Sequence, residues 1–165
     1  MRMQGTQNRK LRVLIADDSA FMRHVLTARL SREPDLEVVG AARDGLEALE
    51  GIERLRPDVL TLDLQMPRLS GIDVLARLRG RTPCAVVVLS AANPREAEDT
   101  FRALDLGALD FVAKPAPGDA RQAESTWIEL IAKLRSAAWA RGFAGGHHAG
   151  AVAAVKPLAV APPMM

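Results

Sequence analysis

Five short apolar runs punctuate the chain: LRVLIA at 11–16, LEVVGAA at 36–42, DVLTL at 58–62, AVVVL at 85–89 and LDFVA at 109–113. The first, third and fourth are dense in Val, Ile and Leu with little alternation, the pattern of a strand buried on both faces. Between the runs the apolar positions switch to helical spacing. From Ser19 to Ser31, Phe21, Val25 and Ala28 form a stripe that Met22, Leu26 and Leu30 widen. From Asp44 to Arg56 the stripe is Leu46, Leu49, Ile52 and Leu55, and from Gly71 to Arg79 it is Ile72, Leu75 and Leu78. Asn93 and Pro94 read as the cap and first residue of a helix over Pro94–Leu106, with Phe101 and Leu104 inward. From Arg121 to Arg141, Trp127, Ile131, Leu134 and Ala138 complete the set, and both Trp127 and Trp139 read as packing residues. Turn-forming clusters such as SREPD, RPD, MPRLSG and KPAPGD separate the elements.

Strict alternation of strand and helix predicts an α/β domain over residues 10–140: a parallel sheet covered by helices on both faces, with right-handed crossovers. Five strands and five helices suit the flavodoxin-like strand order 2-1-3-4-5. From about residue 141 to 165 the chain is Ala, Gly, Val and Pro with no acidic residue, and reads as a flexible linker.

Composition narrows the classes. Of the 165 residues, 48% are hydrophobic and 25% charged, as in an ordinary soluble globular domain. The net charge of +2 comes from scattered Arg and Lys, which argues against nucleic acid as a partner. The single cysteine, Cys84, excludes an internal disulfide, reads as a small buried hydrophobe, and suits a reducing cytoplasm. No apolar run is long enough for membrane insertion, and the first ten residues carry no secretory signal.

The polar residues that close the buried runs carry the chemistry. The first run ends on Asp17-Asp18, the third on Asp63, the fourth on Ser90 and the fifth on Lys114. Ligands of open parallel sheets bind outside the carboxyl ends of the strands, so one edge collects three carboxylates, a hydroxyl and an ammonium. Three adjacent carboxylates repel unless one is protonated or a cation neutralises them. An all-oxygen cluster favours a hard ion, and a shallow one that keeps its waters favours Mg²⁺ over Ca²⁺. Such an ion attracts phosphate, and a carboxylate is a competent nucleophile toward phosphorus. Asp63, central and alone on its strand, is the best candidate. Lys114 can pair with phosphoryl oxygens and Ser90 can donate to them.

The segments LIADDSAFMR, PDVLTLDLQMP, VVVLSA and LGALDFVAKP together resemble the receiver domain of two-component response regulators over roughly residues 10–140. DSAFMR, EPDLEVVGAARDG, PDVLTLDLQMPR and GALDFVAKP are similar to the receiver half of the chemotaxis protein-glutamate methylesterases. The resemblance implies that Asp63 is the phosphoacceptor, that Asp18 binds Mg²⁺ directly with Asp17 acting through water, and that the backbone carbonyl of Gln65 completes the ligands. It implies Ser90 as switch hydroxyl, Phe111 as switch aromatic, Lys114 as phosphate-sensing lysine, and a cis Lys114–Pro115 peptide. The implied partners are a sensor histidine kinase as phosphoryl donor, a methylesterase effector domain, and chemoreceptors indirectly. The resemblance also implies that the receiver itself catalyses phosphotransfer and dephosphorylation. Ser70, where an Asp is common, reads as a helix cap, and Ala91 and Ala92 form a bland loop after Ser90.

No G-x-S-x-G elbow is present, and His24, His147 and His148 are not placed to activate a serine, so methyl-ester hydrolysis is not expected of these residues. The effector is expected to lie beyond the linker. A metal-dependent aspartyl-phosphate phosphohydrolase is the rival from the enzyme class. Such enzymes place a general acid two residues after the nucleophile, where this chain has Gln65. An FMN binder would need a phosphate-cradling loop where Asp17-Asp18 stands. A stand-alone receiver acting by docking shares the chemistry and differs in output.

Overall fold

The computed structural model describes residues 9–142 apart from Gly80, Thr82 and Ala92. The linker assigned to 141–165 therefore falls almost wholly outside the described residues, as do His147 and His148. Ten elements alternate: β1 (Leu11–Ala16), α1 (Ala20–Leu30), β2 (Leu36–Ala42), α2 (Gly45–Leu55), β3 (Val59–Asp63), α3 (Gly71–Leu78), β4 (Ala85–Ser90), α4 (Pro94–Asp105), β5 (Asp110–Ala113) and α5 (Ala120–Ala140). The strands form one parallel sheet in the order β2-β1-β3-β4-β5. This is the architecture the sequence pattern predicts, with element bounds within about a residue.

The two apolar layers explain why the inner strands lack alternation. On one face Leu14, Leu60, Leu62, Val86 and Val88 pack against α2, α3 and α4. On the other, Val13, Ile15, Val59, Val87 and Leu89 pack against Leu26 and Leu30 of α1 and Trp127, Leu130 and Leu134 of α5. Every residue of β3 and β4 is buried, whereas the edge strands β2 and β5 are partly exposed.

The helices begin where polar side chains can satisfy free N–H groups. Ser19, Asp44, Ser70, Asn93 and Asp119 each accept from a backbone N–H three residues on. Ser70 is thus the cap expected of it, as is Asn93 before Pro94. Cys84 is buried, as expected.

Three aromatic assignments need correction. Phe21 is 75% exposed, because α1 seats the line Met22, Leu26 and Leu30 on the sheet and Phe21 lies one residue round the helix from it. Phe101 is 67% exposed for the same reason: α4 buries Thr100 and Ala103, so only Leu104 of the expected pair packs against the core. Trp127 is buried in the α5 face, but Trp139 is 44% exposed near the end of that helix.

Candidate functional site

The order of the sheet reverses between β1 and β3, and the crevice outside the carboxyl ends of strands at such a reversal is where open α/β sheets bind ligands. The expected residues meet there. Carboxylate oxygens of Asp17, Asp18 and Asp63 all lie within 4.8 Å of one another, with Asp17 and Asp63 buried and Asp18 exposed. Lys114, reaching over from the end of β5, places Nζ 2.9 Å from Asp17 Oδ2 and 3.2 Å from Asp63 Oδ2.

Local folding fixes each group. The Asp17 N–H donates to Ala42 O, its Oδ1 accepts from the Ser19 N–H at 2.9 Å, and Arg23 holds its carbonyl at 2.8 Å. Asp17 Oδ2 contacts Lys114 as an ion pair but accepts no hydrogen bond of good geometry. Asp63 closes β3, and its Oδ1 accepts from the Gln65 N–H at 3.2 Å. Gly71 stacks directly under this turn. Its N–H donates to Leu64 O at 3.0 Å, and a Cβ there would stand 2.4 Å from Asp63 O and 2.8 Å from Leu64 Cα. Only glycine permits that approach. The Gln65 side chain reaches Asp99 of α4 at 3.4 Å.

Burial is the largest influence on Asp63, and it pushes the carboxyl up to about 7. The charge of Asp17 acts in the same direction, while Lys114 and the Gln65 N–H oppose it. Burial acts against the Lys114 ammonium, but Asp63 and Asp17 outweigh it and raise its pKa. One ammonium is thus shared by two buried carboxylates with a third beside them. This excess of carboxylate oxygen around one ammonium suits a small divalent cation.

Ser90, at the end of β4, is buried, and its Oγ lies 3.2 Å from Thr100 Oγ1 of α4. Its backbone carbonyl accepts from the Lys114 N–H at 2.7 Å. Glu96 holds the loop after Ser90 through the Ala91 N–H at 2.7 Å. Phe111, on edge strand β5, is 39% exposed. Lys133 of α5 donates to its carbonyl at 2.7 Å and lies 5.3 Å from its ring centroid. The Lys114–Pro115 peptide is trans, contrary to the cis form expected. The two isomers of an X–Pro bond differ by only about 0.5–1 kcal/mol, so the surroundings decide, and here Lys114 meets Ser90, Asp17 and Asp63 with the bond trans. Thr100, Glu96 and Arg23 escape sequence reasoning, because each is an ordinary helical polar residue whose partner is known only once the helix is seated.

The family model for the response regulator receiver domain matches residues 13–123. The chain belongs to the response regulator receiver family. It is 46% identical over 130 residues to a protein-glutamate methylesterase/protein-glutamine glutaminase of Pyrococcus abyssi, covering 79% of this chain and 35% of the relative. It is 49% identical over 133 residues to protein-glutamate methylesterase/protein-glutamine glutaminase 2 of Koribacter versatilis, covering 79% of this chain and 36% of that protein. The chain thus spans little more than a third of the length of these relatives. Among solved structures, the response regulator domain of Thermotoga maritima CheB superposes with a TM-score of 0.71 at 42% identity, covering 79% of this chain and 97% of that one. A structure of the P1 domain of CheA3 in complex with CheY6 from R. sphaeroides matches with a TM-score of 0.64 at 30% identity, covering 78% of this chain and 97% of that one. The similarity to CheB-type proteins therefore covers the receiver region. No helix among the described residues is long and apolar enough to cross a membrane.

Proposed function

We propose that this chain is a phosphoacceptor module that takes a phosphoryl group onto Asp63 and regulates a protein-glutamate methylesterase effector. The observation that carries the reading is the cluster of Asp17, Asp18 and Asp63 around one lysine at the sheet reversal. Mg²⁺ fits this carboxylate set; Asp18, Asp63 and the Gln65 carbonyl would hold it directly, and Asp17 would act through water. When bound, the ion neutralises charge on the carboxylates and on an incoming phosphoryl group.

The chain's own residues account for the rest. The Asp63 carboxylate attacks phosphorus, a phosphorus–oxygen bond forms, and the bond to the donor's leaving nitrogen breaks. The Gln65 N–H and Lys114 fix the orientation of the carboxylate. Lys114 then exchanges its contact with Asp63 for the phosphoryl oxygens, because forming the acyl phosphate moves the negative charge from the Asp63 carboxylate onto them. Ser90 donates to the same group, and Phe111 on the neighbouring strand β5 transmits the change to the surface.

The donor is a phosphohistidine of a sensor kinase, a reading supported by the structural similarity to a receiver captured with a kinase P1 domain. The similarity to CheB-type receivers supports a methylesterase effector, reached through a linker at 141–165 and acting on chemoreceptors in the cytoplasm. The test is transfer from a phosphorylated histidine domain. The expected result is Mg²⁺-dependent loss of label from the histidine and its gain by wild type but not by Asp63→Asn. Sustained turnover of simple phosphate esters, with no labelled protein, would instead identify a phosphohydrolase.

A further inference from the structure

We propose that Thr100, on the buried face of α4, is a positioning residue that holds the Ser90 hydroxyl in its resting arrangement and so sets how readily the site accepts a phosphoryl group. The proposal rests on Asp63 being the phosphoacceptor.

The argument is an inventory of protons. Ser90 and Thr100 are both buried, at 4% and 6% exposure, so neither hydroxyl can turn to bulk water. Thr100 Oγ1 lies 2.9 Å from Glu96 O, a carbonyl that can only accept, so the single Thr100 proton goes there. The 3.2 Å contact between the two hydroxyls must then run from Ser90 to Thr100. The single Ser90 proton is thereby committed to α4. To donate to a phosphoryl oxygen, Ser90 has to release Thr100.

The backbone does not need to move for this. The Ser90 carbonyl is held by the Lys114 N–H at 2.7 Å, and the following loop is pinned by Glu96 on the Ala91 N–H. A side-chain rotation suffices. Resting and phosphorylated forms therefore compete for one proton, and Thr100 is the resting competitor. Removing the Thr100 oxygen leaves the Ser90 donor unpaired in the resting form only, which favours the phosphorylated arrangement. Thr100→Val keeps the β-branched shape and deletes the acceptor, while Thr100→Ser keeps the acceptor.

Beryllofluoride, bound to the full chain with Mg²⁺, reads the balance as a dissociation constant. Thr100→Val is expected to bind roughly three- to tenfold more tightly than wild type, the fold-change of one buried hydrogen bond. Thr100→Ala carries the same expectation should the valine variant fold poorly. Thr100→Ser is expected to stay within about twofold of wild type. In a Ser90→Ala background, Thr100→Val is expected to change nothing, a result that a general packing effect would not produce. Equal affinity of wild type, Thr100→Val and Thr100→Ala overturns the proposal, as does an effect that persists without Ser90. Asp63→Asn separates the two levels. If wild type binds beryllofluoride no better than Asp63→Asn, the phosphoacceptor reading fails and takes this proposal with it. If Asp63→Asn alone loses binding and the Thr100 variants match wild type, only the present proposal fails.

Discussion

Replacing Lys114 by methionine removes the one ammonium that Asp17 and Asp63 share while keeping much of the apolar stem. Removing one partner of a buried pair costs about 3–5 kcal/mol when the remaining charge has no escape. Here an escape exists, because the Asp63 carboxyl already titrates near 7 and can take up a proton. The raised pKa fixes the sign of the pH dependence. Stability contributed by protonated Asp63 is fully present below the unfolded carboxyl value of about 4 and is lost as pH rises through about 7. Without Lys114 the folded value moves higher still, so the loss continues at pH values where wild type has levelled off. Each further pH unit costs about 1.4 kcal/mol. In metal-free buffer, Lys114→Met should therefore be about 1 kcal/mol less stable than wild type near pH 5.5, from the lost contact with Asp17. It should be about 3 kcal/mol less stable near pH 8.5, after roughly one and a half further pH units. Urea unfolding followed by circular dichroism at the two pH values measures both differences. Adding Mg²⁺ near pH 8.5 should narrow the gap. The same destabilisation at both pH values, unaffected by Mg²⁺, would refute the electrostatic account and leave Lys114 as a packing residue.

Gly71→Ala places a methyl against the backbone of Asp63 and Leu64, so unfolding experiments should show a loss of about 2–3 kcal/mol, together with weaker Mg²⁺ binding by calorimetry. Thr61 is buried in β3 with a hydroxyl that finds no hydrogen-bond partner; Thr61→Val should raise stability by about 1 kcal/mol, read as a higher urea midpoint with unchanged slope. Mg²⁺ should raise the melting temperature of wild type near pH 8, where Asp63 is ionised, and much less near pH 5, where burial keeps it protonated; Asp18→Asn should abolish most of that rise in calorimetry.

The fold was legible because the inner strands are buried on both faces and the turns between elements are rich in Pro, Gly and Asp. Continuous apolar runs and period-3.6 stripes therefore separate cleanly along the chain. The site was legible for a different reason: each of its charged residues sits where an apolar run stops, and a parallel sheet brings all such ends to one edge. Helix rotation was less legible. The sequence stripes of α1 and α4 are broad enough to include Phe21 and Phe101, and only the seating of Leu26 and Ala103 on the sheet shows that both rings point outward. Contacts between helix and strand end were not legible at all. Nothing in the spacing of Ser90 and Thr100, or of Arg23 and Asp17, announces a hydrogen bond, because those pairs depend on where a helix lands. The Lys114–Pro115 bond shows the limit of inference by resemblance, since its geometry here is trans.

Phosphorylation at Asp63 is the central claim, and the most direct test is intact-mass analysis after incubation with acetyl phosphate and Mg²⁺, followed by borohydride reduction to mark the acyl phosphate. The account predicts a single labile phosphoryl adduct on wild type, lost on chelation of Mg²⁺, absent from Asp63→Asn, and mapped to position 63 by the reduced residue. An adduct that persists in Asp63→Asn, or that forms equally well without Mg²⁺, would contradict it.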